Sequence, residues 1–283
     1  MIRGQKAVAT VVRRPNGELA TSIRPLSAVY TGRLRRTPFS RGVIVLLESL
    51  ILGIGSLIYS ANVSLEEEGE EISGKSVWLL LLVSLAFAVA LFFLLPLFIT
   101  KLLDPYITSS LVFHLVEGFI RLVIFIGYLK LASLLPDIKR VFAYHGAEHK
   151  TIHAYEDGAE LEPQSIQKYS TAHARCGTAF LLAVLIIAIL VFALVGRQVV
   201  WLMVVSRIVL IPVIAAIGYE VTQLGARHMN NSIVRALMAP GLWLQSLTTR
   251  EPDDSQIEVA VAALKKALAM DQRAEAVQPA SEG

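Results

Sequence analysis

Apolar residues in this chain come in long unbroken runs separated by stretches that are almost wholly polar. Val77 to Thr100 is 24 residues without a charge, and Gly177 to Gly196 is another 20. Gly42 to Ala61 is a third run, interrupted once by Glu48. Val199 to Tyr219 is a fourth, interrupted by Arg207. Each is long enough to cross a hydrocarbon core of about 30 Å. No water reaches that core, so each run has to close its own backbone hydrogen bonds as a helix. The pattern predicts four spans. Arg197-Gln198 is so short a link that the last two form an antiparallel hairpin.

The remaining elements are less uniform. Tyr106 to Leu135 is apolar enough to enter a membrane but carries His114, Glu117, Arg121 and Lys130, with Gly118 as a potential break. Pro136 ends it. Asp137 is a suitable N-cap for a helix running to Glu156, with Gly158 as its stop. A polar stretch follows to Arg175. Ala7 to Ile23 reads as a β-hairpin, because Val8, Val11, Val12 and Ile23 are strand formers around a Pro15-Asn16-Gly17 turn. Asp253 to Leu268 has apolar residues at helical spacing (Ile257, Val261, Leu264, Leu268) and predicts an amphipathic surface helix.

The expected fold is therefore mainly α: a polytopic helical membrane protein of about four spans plus a re-entrant or interfacial helix. A small N-terminal β-hairpin and a C-terminal amphipathic helix complete it. The expected regions are a basic N-terminal segment 1–41 and a transmembrane domain 42–220 that includes the polar 136–176. A cytoplasmic or interfacial helical region 221–270 and a disordered tail 271–283 follow.

Composition agrees. Only 17% of the 283 residues are charged and 54% are hydrophobic, with mean hydropathy +0.59; soluble domains carry about 25% charge. A net charge of +3 gives no reason to expect nucleic acid as a partner. The lipid bilayer is the expected partner, and a homo-oligomer is left open. Residues 1–41 lack an apolar h-region and do not read as a signal peptide. The single Cys176 rules out an internal disulfide and suits a reducing compartment.

Charge also bears on topology. Nine basic residues (Lys6 and Arg3, 13, 14, 24, 33, 35, 36 and 41) face only Glu18 before the first apolar run. Positive flanks stay in the cytoplasm. The N-terminus is then inside a bacterial inner membrane, the acidic 62–75 loop outside, and Lys101 back inside. A fully crossing 106–135 would put 136–176 and the C-terminus outside. A re-entrant or interfacial 106–135 keeps both inside, as Cys176 and the basic Arg227-His228 and Arg235 region favour.

Four constellations carry candidate chemistry. In His145-Gly-Ala-Glu148-His149 the two histidines are four apart and share a helix face. They can hold one metal ion, with Glu148 beside them as a base toward metal-activated water. This is the H-x-x-E-H arrangement of zinc hydrolases. The bland alternative is a solvated helix whose histidines face headgroups. Gly146 counts against it, since a mid-helix glycine costs about 1 kcal/mol relative to alanine and suggests close approach of another group. His173 and Cys176 are two more zinc-type ligands; read alone, they suit a headgroup contact and a buried hydrophobe. Tyr219-Glu220 ends the last run at the same depth. A zinc ion (Zn2+) on His145 and His149 would then draw further ligands from Glu220, His173, Cys176 or Glu156, with His153 a weaker choice. Inside the membrane, Glu48, Glu117, Arg121 and Arg207 need partners. Glu48–Arg207 is the simplest pair, with Glu117 the other candidate partner. His114, Glu117 and Arg121 share one helix face.

Arg140-Val-Phe-Ala-Tyr-His-Gly-Ala-Glu-His-Lys-Thr-Ile, His173-Ala-Arg-Cys-Gly-Thr, Tyr219-Glu220 and Ala239-Pro-Gly-Leu-Trp-Leu-Gln together resemble the YqhQ-like family of bacterial membrane proteins, a domain of unknown function. The resemblance covers nearly the whole chain and implies a several-span inner-membrane protein without supplying a mechanism. In that family a short Gly-rich segment precedes the position of Met1-Ile2-Arg3-Gly4. Three readings follow: a zinc-dependent membrane hydrolase, acting on a peptide or a lipid-derived substrate; an ion or small-solute transporter using the intramembrane charges; or a non-catalytic scaffold.

Overall fold

A computed structural model describes residues 1–66, 73–173, 176–196 and 198–277. The hairpin forms with strands β2 (Ala7–Arg13) and β3 (Leu19–Pro25), and β1 (Ile2–Arg3) adds a third antiparallel strand on the β2 edge. Two single turns, Ala28–Thr31 and Arg33–Arg36, lead into helix α1 (Ser40–Leu65). Then come α2 (Gly74–Leu102), α3 (Ser110–Ala132), α4 (Pro136–Glu156), α5 (Gly177–Val195), α6 (Val200–Arg227), α7 (Ser232–Thr248) and α8 (Asp254–Val277). In α2 the helix widens to a π turn over Ala90–Leu94, just ahead of Pro96. Such a turn absorbs the donor that proline lacks.

Five helices are long and apolar enough to cross a membrane: α1, α2, α3, α5 and most of α6. Four of them run alongside one another in alternating directions. Leu97, Phe113 and Met203 pack together, and Gly196 lies beside Ser110, so these residues mark one end of the bundle. At the other end Thr178 meets Thr248 and Ser133 meets Arg250. The segment expected to be re-entrant is thus a single 23-residue helix, α3. Gly118 does not break it. That glycine makes room for Ile189 of α5, which a Cβ would strike.

Helix α1 behaves differently. Its first turns pack on α6, where Gly42 lies against Ala216 and Tyr219. From Glu48 onward it lies along the N-terminal sheet. Arg3 and Arg35 both pair with Glu48, Thr10 hydrogen-bonds Ser56 at 2.9 Å, and Arg14 pairs with Glu66 at 2.9 Å. Open sheet edges do not occur in hydrocarbon, so a helix fixed along this sheet at both Glu48 and Glu66 keeps both ends on the sheet's side. The number of spans stands at four plus one interfacial helix, but the two uncertain segments exchange roles. Two expectations are corrected. Glu66 of the acidic loop is on the sheet's side, not opposite it; Glu67, Glu68, Glu70 and Glu71 lie outside the described residues. Lys101, at the end of α2, is on the side opposite the sheet. The cause is a helix whose apolar composition permits crossing but whose polar stripe is claimed by arginines of the sheet layer.

Helix α8 closes the polar layer. Val259, Ala263, Leu264 and Ala267 pack on Ile2, Ala9 and Val11 of the sheet. Ile257, Ala260 and Val261 pack on Ala147 and Ala154 of α4 and on Ile166. The disordered tail expected from residue 271 is corrected for 271–277. The helix runs to Val277, and the Asp271 carboxylate accepts the Gln5 and Lys6 N–H groups, both at 2.8 Å; residues 278–283 lie outside the description. In a Cys176→Ser background, cysteines introduced at Glu66 and Glu160 are expected to react with an impermeant maleimide from one membrane face, and one at Tyr106 from the other. Labelling of Glu66 together with Tyr106 would contradict the placement of α1.

Candidate metal centre

The α4 helix carries His145, His149 and His153 on successive turns of one face. Pro136 at its first turn costs no hydrogen bond, because the N–H it lacks would have had no partner there. Against this face lie residues 171–173, Cys176, the first turn of α5 and the end of α7.

Gly146 explains itself here. The chain after α7 runs so close that a Cβ on Gly146 would collide with the Arg250 carbonyl, and Arg250 N–H donates to Phe142 O at 2.9 Å. Lys150 of the same motif is buried. It donates to the Gln167 carbonyl at 2.9 Å and pairs with Glu251 at 2.6 Å.

The histidines are locked by carbonyls. His145 Nδ1 lies 2.9 Å from Thr248 O, and His149 Nδ1 lies 2.6 Å from Thr171 O. A ring nitrogen facing a carbonyl must carry the proton, so Nε2 of each is the position that either carries the ring's second proton, donated to a thiolate, or gives it up and offers a lone pair to a metal. Both then share a site with Cys176: the three ligand atoms lie within 4.8 Å of one another, and Cys176 Sγ is 3.4 Å from His145 Nε2. Cys176 is also the N-cap of α5, with the Thr178 N–H donating to Sγ at 3.4 Å. Burial alone would push the thiol up. Hydrogen bonding to His145 and His149 outweighs it and holds Cys176 down to about 5. For His145, burial opposes the charged form, but the Cys176 contact prevails and its pKa is raised.

A second group, His153, Glu156 and His173, adjoins the first and also gathers its ligand atoms within 4.8 Å. His153 Nε2 donates to Ala172 O at 2.9 Å, and His173 Nε2 stands 3.5 Å from Glu156. The His149 and His173 rings are 5.7 Å apart. Burial, then the neighbouring His153, lowers the pKa of His173. The wholly buried Gln245 of α7 clamps the His173 backbone through both amide atoms, at 2.8 and 2.9 Å.

The expected residues thus divide. His145, His149 and Cys176 converge. His173 joins the neighbouring group with Glu156 and His153, which the sequence ranks as weaker. Glu220 goes elsewhere: Arg41 and the Phe39 N–H take its carboxylate, and Tyr219 lies under the same guanidinium. It joins neither group. Glu148 turns to the neighbouring face of α4, where it lines a groove of about 540 Å3 with Met1, Ser56 and Ala263. The Glu48–Arg207 pairing is corrected. Glu48 is held by Arg3 and Arg35, while Arg207 bonds Glu117 at 2.6 Å, as does Arg121. Gln245 and the Thr171 and Thr248 carbonyls are legible only in the fold, because main-chain acceptors leave no mark in a sequence. Arg175, within the Cys176 motif, lies outside the description.

Residues 37–270 match the model of a protein family of unknown function, DUF1385. The chain belongs to that family. The uncharacterised protein YqhQ of Bacillus subtilis (strain 168) is 34% identical over 297 residues, covering 99% of this chain and 93% of that protein. No solved structure matches. This DUF1385 member therefore has a polytopic helical fold with a small N-terminal sheet, and its site has to be read from its own geometry.

Two measurements follow. With a single cysteine, thiolate ultraviolet absorbance reports Cys176 alone. In metal-free protein it is expected to titrate near 5, and to move upward in His145→Ala and His149→Ala. The stability held in that thiolate is lost as pH falls through about 5, and the part that depends on charged His145 is lost again as pH rises through its raised pKa. Gly146→Ala is expected to destabilise the protein by about 2 kcal/mol through overpacking against Arg250, seen as a lower unfolding midpoint.

Proposed function

We propose that this protein holds a zinc ion at His145, His149 and Cys176, at the boundary between the membrane and the polar layer, and that the site is of the hydrolytic kind. One observation carries the reading: both histidines spend Nδ1–H on main-chain carbonyls and turn Nε2 toward a single thiolate. That is how metal-ligating imidazoles are held, with the outer nitrogen fixing the ring. Nitrogen and sulfur donors suit zinc. Among the described residues this group offers three ligands, instead of the four of a structural site, which leaves one coordination position for a reactant. Zinc would supply Lewis acidity there.

Glu148, the base expected from the sequence, lines the groove on the neighbouring face of α4, and its charge still reaches His145. His173 is the better group to hold or move a proton. Its pKa is low, Glu156 accepts from it, and Gln245 fixes its backbone. A substrate with an apolar part, a peptide or lipid-derived molecule, suits a site at this depth. The transporter reading has less support, because Glu48 is spent on Arg3 and Arg35 and is separated from the Glu117 group.

The basic N-terminal segment supports placing the polar layer in the cytoplasm of a bacterium. Among the described residues, 103–109, Gly196 and 198–199 lie at the opposite end of the bundle, and a cytoplasmic site keeps Cys176 reduced.

Elemental analysis tests the metal. Wild type is expected to carry about one zinc per chain. Cys176→Ser and His149→Ala should lose it, while Glu148→Gln and Glu220→Gln keep it. Zinc-free wild type that stays empty after incubation with zinc would end the proposal.

A further inference from the structure

The bundle contains a charge imbalance that the metal centre does not use. Glu117, Arg121 and Arg207 are 3, 5 and 6% exposed and form one group inside the membrane-spanning helices. Both guanidinium groups bond the same carboxylate, at 2.6 Å each. Arginine does not lose its proton in proteins, so two positive charges share one negative charge. His114, whose Nδ1 stands 3.6 Å from Glu117, can only add to the excess. The other buried acid of this region, Glu48, is already held by two arginines. Among the described residues nothing supplies the missing anion.

Both arginines border one cavity of about 260 Å3. Apart from them its wall is apolar and rich in phenylalanine, with Phe92, Phe125 and Phe180 among its members. The guanidinium groups lie over rings, Arg121 at 5.4 Å from Phe93 and Arg207 at 5.6 Å from Phe192. Arg121 Nε donates to the Phe92 carbonyl at 2.9 Å, so a further acceptor would meet the remaining N–H groups of the two guanidiniums. Water is a poor occupant, since a buried water needs several polar partners. The rim includes Leu181 and Ile211, 49 and 43% exposed, on faces that meet lipid. A ligand would therefore enter sideways from the bilayer.

We infer that this cavity binds an anionic amphiphile, its acid group on Arg121 and Arg207 and its apolar chain among the phenylalanines, entering from the lipid phase. A carboxylate or a phosphate head meets the same chemistry, because the guanidinium fork suits both. The metal centre is not involved, so this reading stands or falls separately from the zinc proposal.

Thermal unfolding of the full protein in a neutral detergent tests it, with decanoate, decyl phosphate and decanol as probes. Decanoate or decyl phosphate is expected to raise the wild-type midpoint by about 5 °C at a hundredfold excess over Kd. Decanol should not. Arg207→Leu leaves Glu117 and Arg121 as a balanced pair, so it should fold and lose the anion-dependent shift. If that variant does not fold, Leu181→Trp narrows the mouth with all charges kept and should also abolish the shift. A response to decanoate alone assigns a fatty-acid type head; a response to decyl phosphate alone assigns a phospholipid type. Equal shifts with decanol, no shift with either anion, or an undiminished shift in Arg207→Leu would overturn the inference.

Discussion

The burial of α8 between the N-terminal sheet and α4 is the constraint on which the rest of the molecule depends. Its small residues, Ala260, Ala263 and Ala267, let two layers approach from different sides, and Ile257 and Leu264 fill what remains. Each large aliphatic side chain taken fully out of water contributes about 1.5–3 kcal/mol, so this seam is the principal apolar core outside the spans. It joins residues that are distant in the chain. Once the sheet, α4 and α8 share one core, they share one side of the membrane. The arginines of the sheet layer are then within reach of Glu48 and Glu66, and α1 has no route across.

The same seam sets the chemistry. It presses α4 into place with one face toward α8 and the other toward residues 171–173 and Cys176, so His145 and His149 meet Cys176 at the mouth of a span. Main-chain carbonyls then select the tautomer of each ring. Two kinds of order meet at this point: helical periodicity, which spaces the histidines, and tertiary packing, which supplies the thiolate and the carbonyls.

This division explains what the sequence reveals and what it hides. Uninterrupted apolar runs are legible because lipid forces helices on them, and the i, i+4 histidines are legible because the helix places them. Gly146 is legible as an anomaly, and the Arg250 carbonyl beside it is the reason. The fate of α1 is hidden, because its composition suits either lipid or an interface, and the choice is made by Arg3, Arg14 and Arg35. Glu220 misleads for a similar reason: it ends a span at a suitable depth, but Arg41 arrives with the start of α1 and takes its charge. The pairing of Arg207 with Glu117 rather than Glu48 likewise depends on where α1 lies.

The carbonyl of Thr248 has a consequence for assembly. It orients His145, yet it lies more than a hundred residues later in the chain, and the α8 seam that backs α4 is later still. Synthesis runs from the N-terminus, so the four spans are made while both of these parts are still missing. His145 is therefore exposed without its orienting partner until the chain is nearly finished. The order of residues along the polypeptide makes site completion a late event, separated in time from insertion into the membrane.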